Sequence, residues 1–202
     1  MDYNYIFFDC ESNSGRSHAD ILTISALFVD KNFKLIEEFN CAARLRKSRI
    51  YEIDSFLVNG MDPFEVDKHP FSNFDLTKKT NDKFISWINK GPVLFCAHNG
   101  YQFDYMLTST HLFTNLFTWP WIFSTGNAKQ IDSLPILQNF DFYAPNTIAI
   151  ELNEKSNKTF KLGSLCRMNG FDLGDKAHTA EADTLGMSKL MQLISKKNPE
   201  LF

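Results

Sequence analysis

Apolar positions along the chain follow two periods, and the change between them divides the sequence. Near the start the pattern is strand-like. Tyr5-Ile6-Phe7-Phe8 is a short β-rich run that ends in Asp9-Cys10-Glu11-Ser12. Residues 21–29 are almost continuously apolar, Asp30-Lys31-Asn32 reads as a tight turn, and residues 34–41 alternate. This predicts a three-strand meander. Residues 80–89 carry Phe84, Ile85 and Ile88 at helical spacing, and Gly91-Pro92 stops that helix. Val93-Leu94-Phe95-Cys96-Ala97 has the continuous apolar character of a strand buried on both faces. A loop, His98 to Phe103, then leads into a helix. Ile131-Asp132-Ser133-Leu134 reads as a short strand entering another helix, and 162–169 as a helix ended by Gly170. The last helix is expected over about 180–196, with Ala182, Leu185, Leu190, Leu193 and Ile194 as its apolar stripe. Residues 50–63 carry turn chemistry, 64–74 have no clear period, and 139–158 read as loop. Strands first, then strand–helix alternation, point to an α/β fold with a mixed sheet.

Composition narrows this picture only slightly. A chain of 202 residues with 44% hydrophobic and 22% charged residues is ordinary for one globular domain, so 1–202 is read as a single domain. Four widely spaced Cys lack the pairing of a structural zinc site and suit reduced thiols, hence a cytoplasmic location. No run approaches a membrane span, and no membrane partner is expected. The net charge of −3 does not announce nucleic acid, although an acidic total leaves room for a local basic surface.

The candidate chemistry lies in the acids that follow the strands. Side chains on a strand alternate, so Asp9 and Glu11 share a face and Cys10 takes the other. Two adjacent carboxylates resist joint ionisation, and a hard divalent cation, Mg²⁺ or Mn²⁺, removes the conflict. Read alone, the pair also fits an edge strand whose acids face water. Asp104 stands where a buried strand passes into a helix, a frequent place for functional acids in α/β sheets and equally a place for a helix cap. Asp183 lies one turn inside the last helix, with His178 on the loop before it. Taken together, four carboxylates can hold two divalent cations for an in-line phosphoryl displacement. A histidine can then take a proton from water near neutral pH.

Three segments carry a resemblance: Phe7-Phe8-Asp9-Cys10-Glu11-Ser12, Asn99-Gly100-Tyr101-Gln102-Phe103-Asp104 and His178-Thr179-Ala180-Glu181-Ala182-Asp183. In order and separation they resemble the exonuclease motifs of the DEDDh (DnaQ-like) 3′→5′ exonucleases. Within that family the likeness is nearest to the catalytic domain of bacterial exonuclease I. Phe160-Lys161-Leu162-Gly163-Ser164-Leu165 and Val58-Asn59-Gly60-Met61 add to it, with Asn59 where Thr is usual. The resemblance implies an RNase H-like fold, a central five-stranded mixed sheet flanked by helices. It implies Asp9, Glu11, Asp104 and Asp183 as ligands of two Mg²⁺ or Mn²⁺ ions, with Asp9 shared, and His178 as general base. It implies contacts to the terminal nucleotide from Glu11, Ser12, Phe103 and His178. Ser12 stands where Thr is usual and keeps the hydroxyl, and Phe103 reads as core before substrate contact.

The implied activity is hydrolysis of the 3′-terminal phosphodiester of single-stranded nucleic acid, with DNA favoured over RNA, releasing nucleoside 5′-monophosphates in a setting such as DNA repair. An exoribonuclease or oligoribonuclease, and a polymerase-associated proofreading subunit, are the alternatives. No sequence feature points to a protein partner. Exonuclease I continues into further domains that help enclose single-stranded DNA, and without them short, distributive digestion is expected. Arg44, Arg46, Lys47, Arg49 and Lys176 are candidates for phosphate contact, as Tyr101 and Trp119 are for stacking. The arginine cluster reads equally well as a solvated face.

Overall fold

The computed structural model describes residues 2–16, 18–117, 121–171 and 179–202. The predicted meander is present as β1 (Asn4–Ser12), β2 (Ile21–Val29) and β3 (Leu35–Ala42), paired antiparallel. β4 (Val93–Ala97) joins β1 in parallel, and β5 (Ala128–Asp132) joins β4 in parallel. The order β3-β2-β1-β4-β5 puts β1 at the centre. This is the mixed five-stranded sheet of an RNase H-like fold, as expected.

Helices cover both faces, and the alternation of β1 assigns its residues to them. Ile6, Phe8 and Cys10 face α3 (Asn73–Ile88) and α4 (Asp104–Thr114), where Phe84, Trp87, Tyr105 and Leu107 close the larger core. Phe7 faces the opposite way, toward a core built from α5 (Ser133–Tyr143), α6 (Leu162–Met168) and α7 (Ala180–Lys197). Burying large aromatic and aliphatic side chains on both sides of one strand contributes roughly 1.5–3 kcal/mol each. β1 is thereby fixed between two packed layers, so the acids at its end are held on rigid backbone.

The helices depart from expectation where buried polar residues hide the period. α3 begins at Asn73, about two turns before the predicted start, because its first turns bury Asn73, Thr77, Thr80 and Asn81 beside Leu76. Its start is fixed by a capping box: the Ser72 hydroxyl accepts from the Asp75 amide and the Asp75 carboxylate accepts from the Ser72 amide. The segment expected as turn and loop holds α1 (Ile53–Asn59) and α2 (Pro63–Asp67). α1 buries only Phe56, so it has no amphipathic stripe to read. α5 runs to Tyr143, into the stretch expected as loop. On α7 the predicted stripe is partly corrected. Leu185 is 43% exposed, and Met187 and Met191 take the buried positions with Leu190 and Ile194. Among the described residues no helix is long and apolar enough to cross a membrane.

Candidate metal centre

The site forms where β1, α4 and α7 meet. Asp9 and Glu11 project from β1 on the α7 side of the sheet, and Cys10 turns away into the larger core, its thiol 3.6 Å from the Thr108 hydroxyl. α7 brings Asp183 over them. Its first turn is set by Thr179, whose hydroxyl accepts from the Ala182 amide at 3.3 Å. One turn on, the buried Thr184 hydroxyl lies 3.1 Å from that of Ser25, the residue paired with Asp9 across the sheet. That side-chain bond sets the rotation of α7 against β2 at the level of Asp9. Asp9, Glu11 and Asp183 each offer a carboxylate oxygen within 4.8 Å of the others, a spacing that one divalent cation can bridge.

Asp104 enters from the other side of the sheet. The β1–β4 ladder ends at the pair Phe7 and Cys96, so farther along β1 the neighbouring strand offers no carbonyl. The Asp104 carboxylate takes over, accepting the Cys10 amide at 3.0 Å. Asp104 is only 3% exposed and stands behind the trio rather than within its 4.8 Å cluster. The structure therefore brings three of the four predicted acids into one constellation and sets the fourth against the backbone between two of them.

The carboxylates of this centre repel one another and resist joint ionisation, a conflict that a divalent cation would resolve. Burial, then the charges of Asp104, Glu11 and Asp183, push the Asp9 carboxyl far above the usual carboxylate range. Burial with Asp183 and Asp104 nearby raises Glu11 to about 8. Burial raises Asp104 to about 7, against the opposing pull of the Cys10 amide. Among the described residues no Lys or Arg forms an ion pair with Asp9, Glu11 or Asp104. A cluster of carboxylate oxygen donors at this spacing fits Mg²⁺ or Mn²⁺.

The remaining predicted residues fall as follows. His178 lies outside the described residues, as do Lys176 and Trp119. Ser12 is buried and its hydroxyl donates to the Ser14 carbonyl at 2.6 Å, while its own carbonyl accepts from the Asn59 side chain at 3.2 Å. Phe103 caps α4 and packs against the larger core. Tyr101 is half exposed, beside Met106, Phe113 and Trp121 in an apolar hollow. Lys47 is exposed, and the three arginines of the cluster bond to other parts of the chain while staying at least partly exposed. Arg46 clasps Asp20 through its guanidinium and its backbone amide, and Arg49 approaches the same carboxylate at 3.5 Å. Arg44 donates to the carbonyls of His69 and Pro70 at 3.2 and 2.6 Å. Sequence reasoning gave no role to Asp132 or His98, which brace the loop before Asp104. Both stand at the ends of readable strands, and that position is the signal that could have found them.

No protein-family model matches the chain. Over its whole length it is 26% identical to exodeoxyribonuclease I of Buchnera aphidicola subsp. Schizaphis graminum, and it spans 41% of that protein. The structure superposes on E. coli exonuclease I in complex with a dA16 oligonucleotide with a TM-score of 0.89, at 19% identity, covering 99% of this chain and 42% of that one. Against exonuclease I from Methylocaldum szegediense the TM-score is 0.87 at 18% identity, with 98% of this chain and 42% of that one covered. The likeness to exonuclease I expected from the motifs is thus found in sequence and in fold, and the chain spans about two-fifths of the length of these relatives.

Proposed function

We propose that the chain is a metal-dependent 3′→5′ exonuclease that hydrolyses the 3′-terminal phosphodiester of single-stranded DNA and releases nucleoside 5′-monophosphates. The observation that carries this reading is the meeting of Asp9, Glu11 and Asp183 within 4.8 Å on a rigid sheet end, with Asp104 behind them. The sequence likeness to an exodeoxyribonuclease I, and the oligonucleotide held by E. coli exonuclease I, support DNA as the substrate. Residues 1–202 act as one catalytic unit.

Asp9, Glu11 and Asp183 would hold one Mg²⁺ or Mn²⁺ ion, and Asp9 with Asp104 a second. The bound ions supply Lewis-acid activation of water and neutralise charge on the phosphate. His178 removes the proton of the attacking water, because an imidazole titrates near neutral pH and a ligand carboxylate is already committed. Glu11 and Ser12, at the end of β1, orient the terminal nucleotide, and Phe103 serves by holding α4, and so Asp104, in place.

The test is a divalent-dependent assay on single-stranded DNA, duplex DNA and RNA labelled at either end. Mononucleotides released first from the 3′ end of single-stranded DNA are expected, with no turnover in EDTA. Release from the 5′ end, or undiminished turnover in EDTA, overturns the reading. Faster digestion of RNA than DNA makes the enzyme an exoribonuclease on the same centre. His178→Ala is expected to retain DNA binding and lose nearly all turnover.

A further inference from the structure

We infer that Asp132, at the end of β5, is a positioning residue for the metal centre. Its carboxylate clasps the 98–103 loop and thereby sets the place of Asp104. The inference rests on the metal role proposed above for Asp104.

Asp132 is 4% exposed and has no ion pair among the described residues. It is instead solvated by backbone. One oxygen accepts the Asn99 amide at 2.8 Å and the Leu134 amide at 2.9 Å, and the other accepts the Tyr101 amide at 3.2 Å. The bond to Leu134 is an ordinary cap for α5. Those to Asn99 and Tyr101 serve a different segment, the loop between β4 and α4. A buried charge satisfied by two loop amides makes that loop's position costly to change, since moving it would leave the carboxylate unpaired.

The loop needs such a restraint. Asn99 is held at φ +59°, in the left-handed region, and a Cβ on Gly100 would stand 2.3 Å from that of Ala97. His98 braces the same loop. Its Nε2 lies 2.9 Å from the Phe160 carbonyl, which can only accept, so Nε2 carries the proton and Nδ1 accepts from the Ser133 hydroxyl at 2.8 Å. The Tyr105 and Phe103 amides both donate to the Gly100 carbonyl, at 3.0 and 3.1 Å, so the turn passes directly into α4. Asp104 lies three residues past Tyr101 and reaches across to the Cys10 amide between Asp9 and Glu11. Asp132 is thus connected to β1 through three successive links, its own bonds to the loop amides, those of the Gly100 carbonyl to the start of α4, and that of Asp104 to the Cys10 amide, and supplies no ligand atom itself.

The experiment uses Asp132→Ser in the full chain. Serine is a good helix cap, so the Leu134 amide stays satisfied, but its hydroxyl is too short to hold Asn99 and Tyr101. Amide hydrogen exchange is expected to show α5 protected as in the unaltered chain, with protection lost at Asn99, Tyr101 and Cys10. Asp104→Ala should remove the Cys10 protection equally, and the double variant should lose no more. Mn²⁺ affinity in Asp132→Ser should fall about tenfold, the usual scale for residues that support ligands. Unchanged protection at Cys10 overturns the inference, whatever the metal or nuclease result. If Mn²⁺ does not bind the unaltered chain, the proposed function fails and the exchange result still decides this point. Should Asp132→Ser not fold, Asp132→Asn keeps one oxygen for Asn99 and Leu134 and sets an amide NH₂ against Tyr101, so loss of protection at Tyr101 and Cys10 gives the same decision.

Discussion

Two aspartates, Asp20 buried and Asp9 half-buried, stand at the same end of the sheet, one strand apart, in opposite electrostatic company. Asp20, just before β2, is 0% exposed and meets the Arg46 guanidinium, the Arg46 amide and Arg49. Asp9, on β1, meets Glu11, Asp104 and Asp183. Folding desolvates both, but among the described residues only Asp20 is compensated by cations from the chain itself. A buried charge without such compensation is expensive and persists where something outside the chain supplies it. The contrast separates a structural acid from a ligand acid by the sign of its neighbours, which burial alone does not do.

The comparison breaks most visibly at Asp9. Asp9→Asn should lower nuclease turnover on the order of 1,000-fold or more, because it removes the carboxylate proposed to serve both ions. The same change should raise the Tm measured in EDTA at pH 8, since Asn needs neither a charge among the other acids nor a proton taken up on folding. A fall in that Tm would mean that Asp9 is structural, as Asp20 is.

Next in size is the effect of metal on stability across pH. Glu11 and Asp104 are raised to about 8 and about 7 in the folded state, from ordinary values of 4.5 and 3.8. Groups so raised bind protons more tightly when folded. Their contribution is full below about pH 4 and is lost as pH rises through 7 to 8. The metal-free protein should therefore weaken over that window, and saturating Mn²⁺, which needs the ionised acids, should restore more Tm at pH 8 than at pH 5.5. Thermal unfolding in EDTA and in Mn²⁺ at the two pH values measures it. An equal increment at both would remove the link between the raised acids and the cation.

Asp20→Ala gives the converse result. It should cost about 2 kcal/mol rather than more, because Arg46 and Arg49 are partly exposed and rehydrate. That is a Tm loss of about 4–8 °C for a chain of this size. Metal affinity should stay as in the unaltered chain. A loss of metal binding would tie Asp20 to the centre and weaken the contrast.

The strands and the four acids proposed as ligands were legible in the sequence because each rests on a local pattern. Alternation put Asp9 and Glu11 on one face and Cys10 on the other, and the start of the last helix placed Asp183. What the sequence hid was partnership over distance. The 44–49 cluster looks like a basic surface until Asp20, more than 20 residues away, is seen to take two of its arginines. Asp132 has no role legible in the sequence; it caps α5, and its bonds to Asn99 and Tyr101 depend on β4 and β5 lying side by side. The early start of α3 was concealed for another reason: its first turns bury Asn and Thr side chains, of which Asn73 and Thr77 hydrogen-bond to backbone carbonyls, so burial there is not written as apolarity.

The smallest effect sharpens the contrast from the paired side. Glu37 on β3 accepts from Lys83 at 2.5 Å, Trp87 at 2.7 Å and Lys90 at 3.0 Å, all on α3 or just past its end. The hydrogen bonds from Lys83, Trp87 and Lys90 hold its carboxyl down at about 2. A depressed acid contributes stability above its unfolded value of about 4.5, and that contribution disappears as pH falls toward 2, the reverse of the metal-centre acids. With the side chain 32% exposed and Lys90 more so, solvent screening limits the contribution to about 1 kcal/mol. The Tm difference between the unaltered chain and Glu37→Gln should be small at pH 7 and close between pH 4.5 and 2, and 0.5 M NaCl should shrink it at pH 7. A difference that ignores both pH and salt would make Glu37 a packing residue, and the sign of its neighbours would then count for less than the comparison of Asp9 with Asp20 requires.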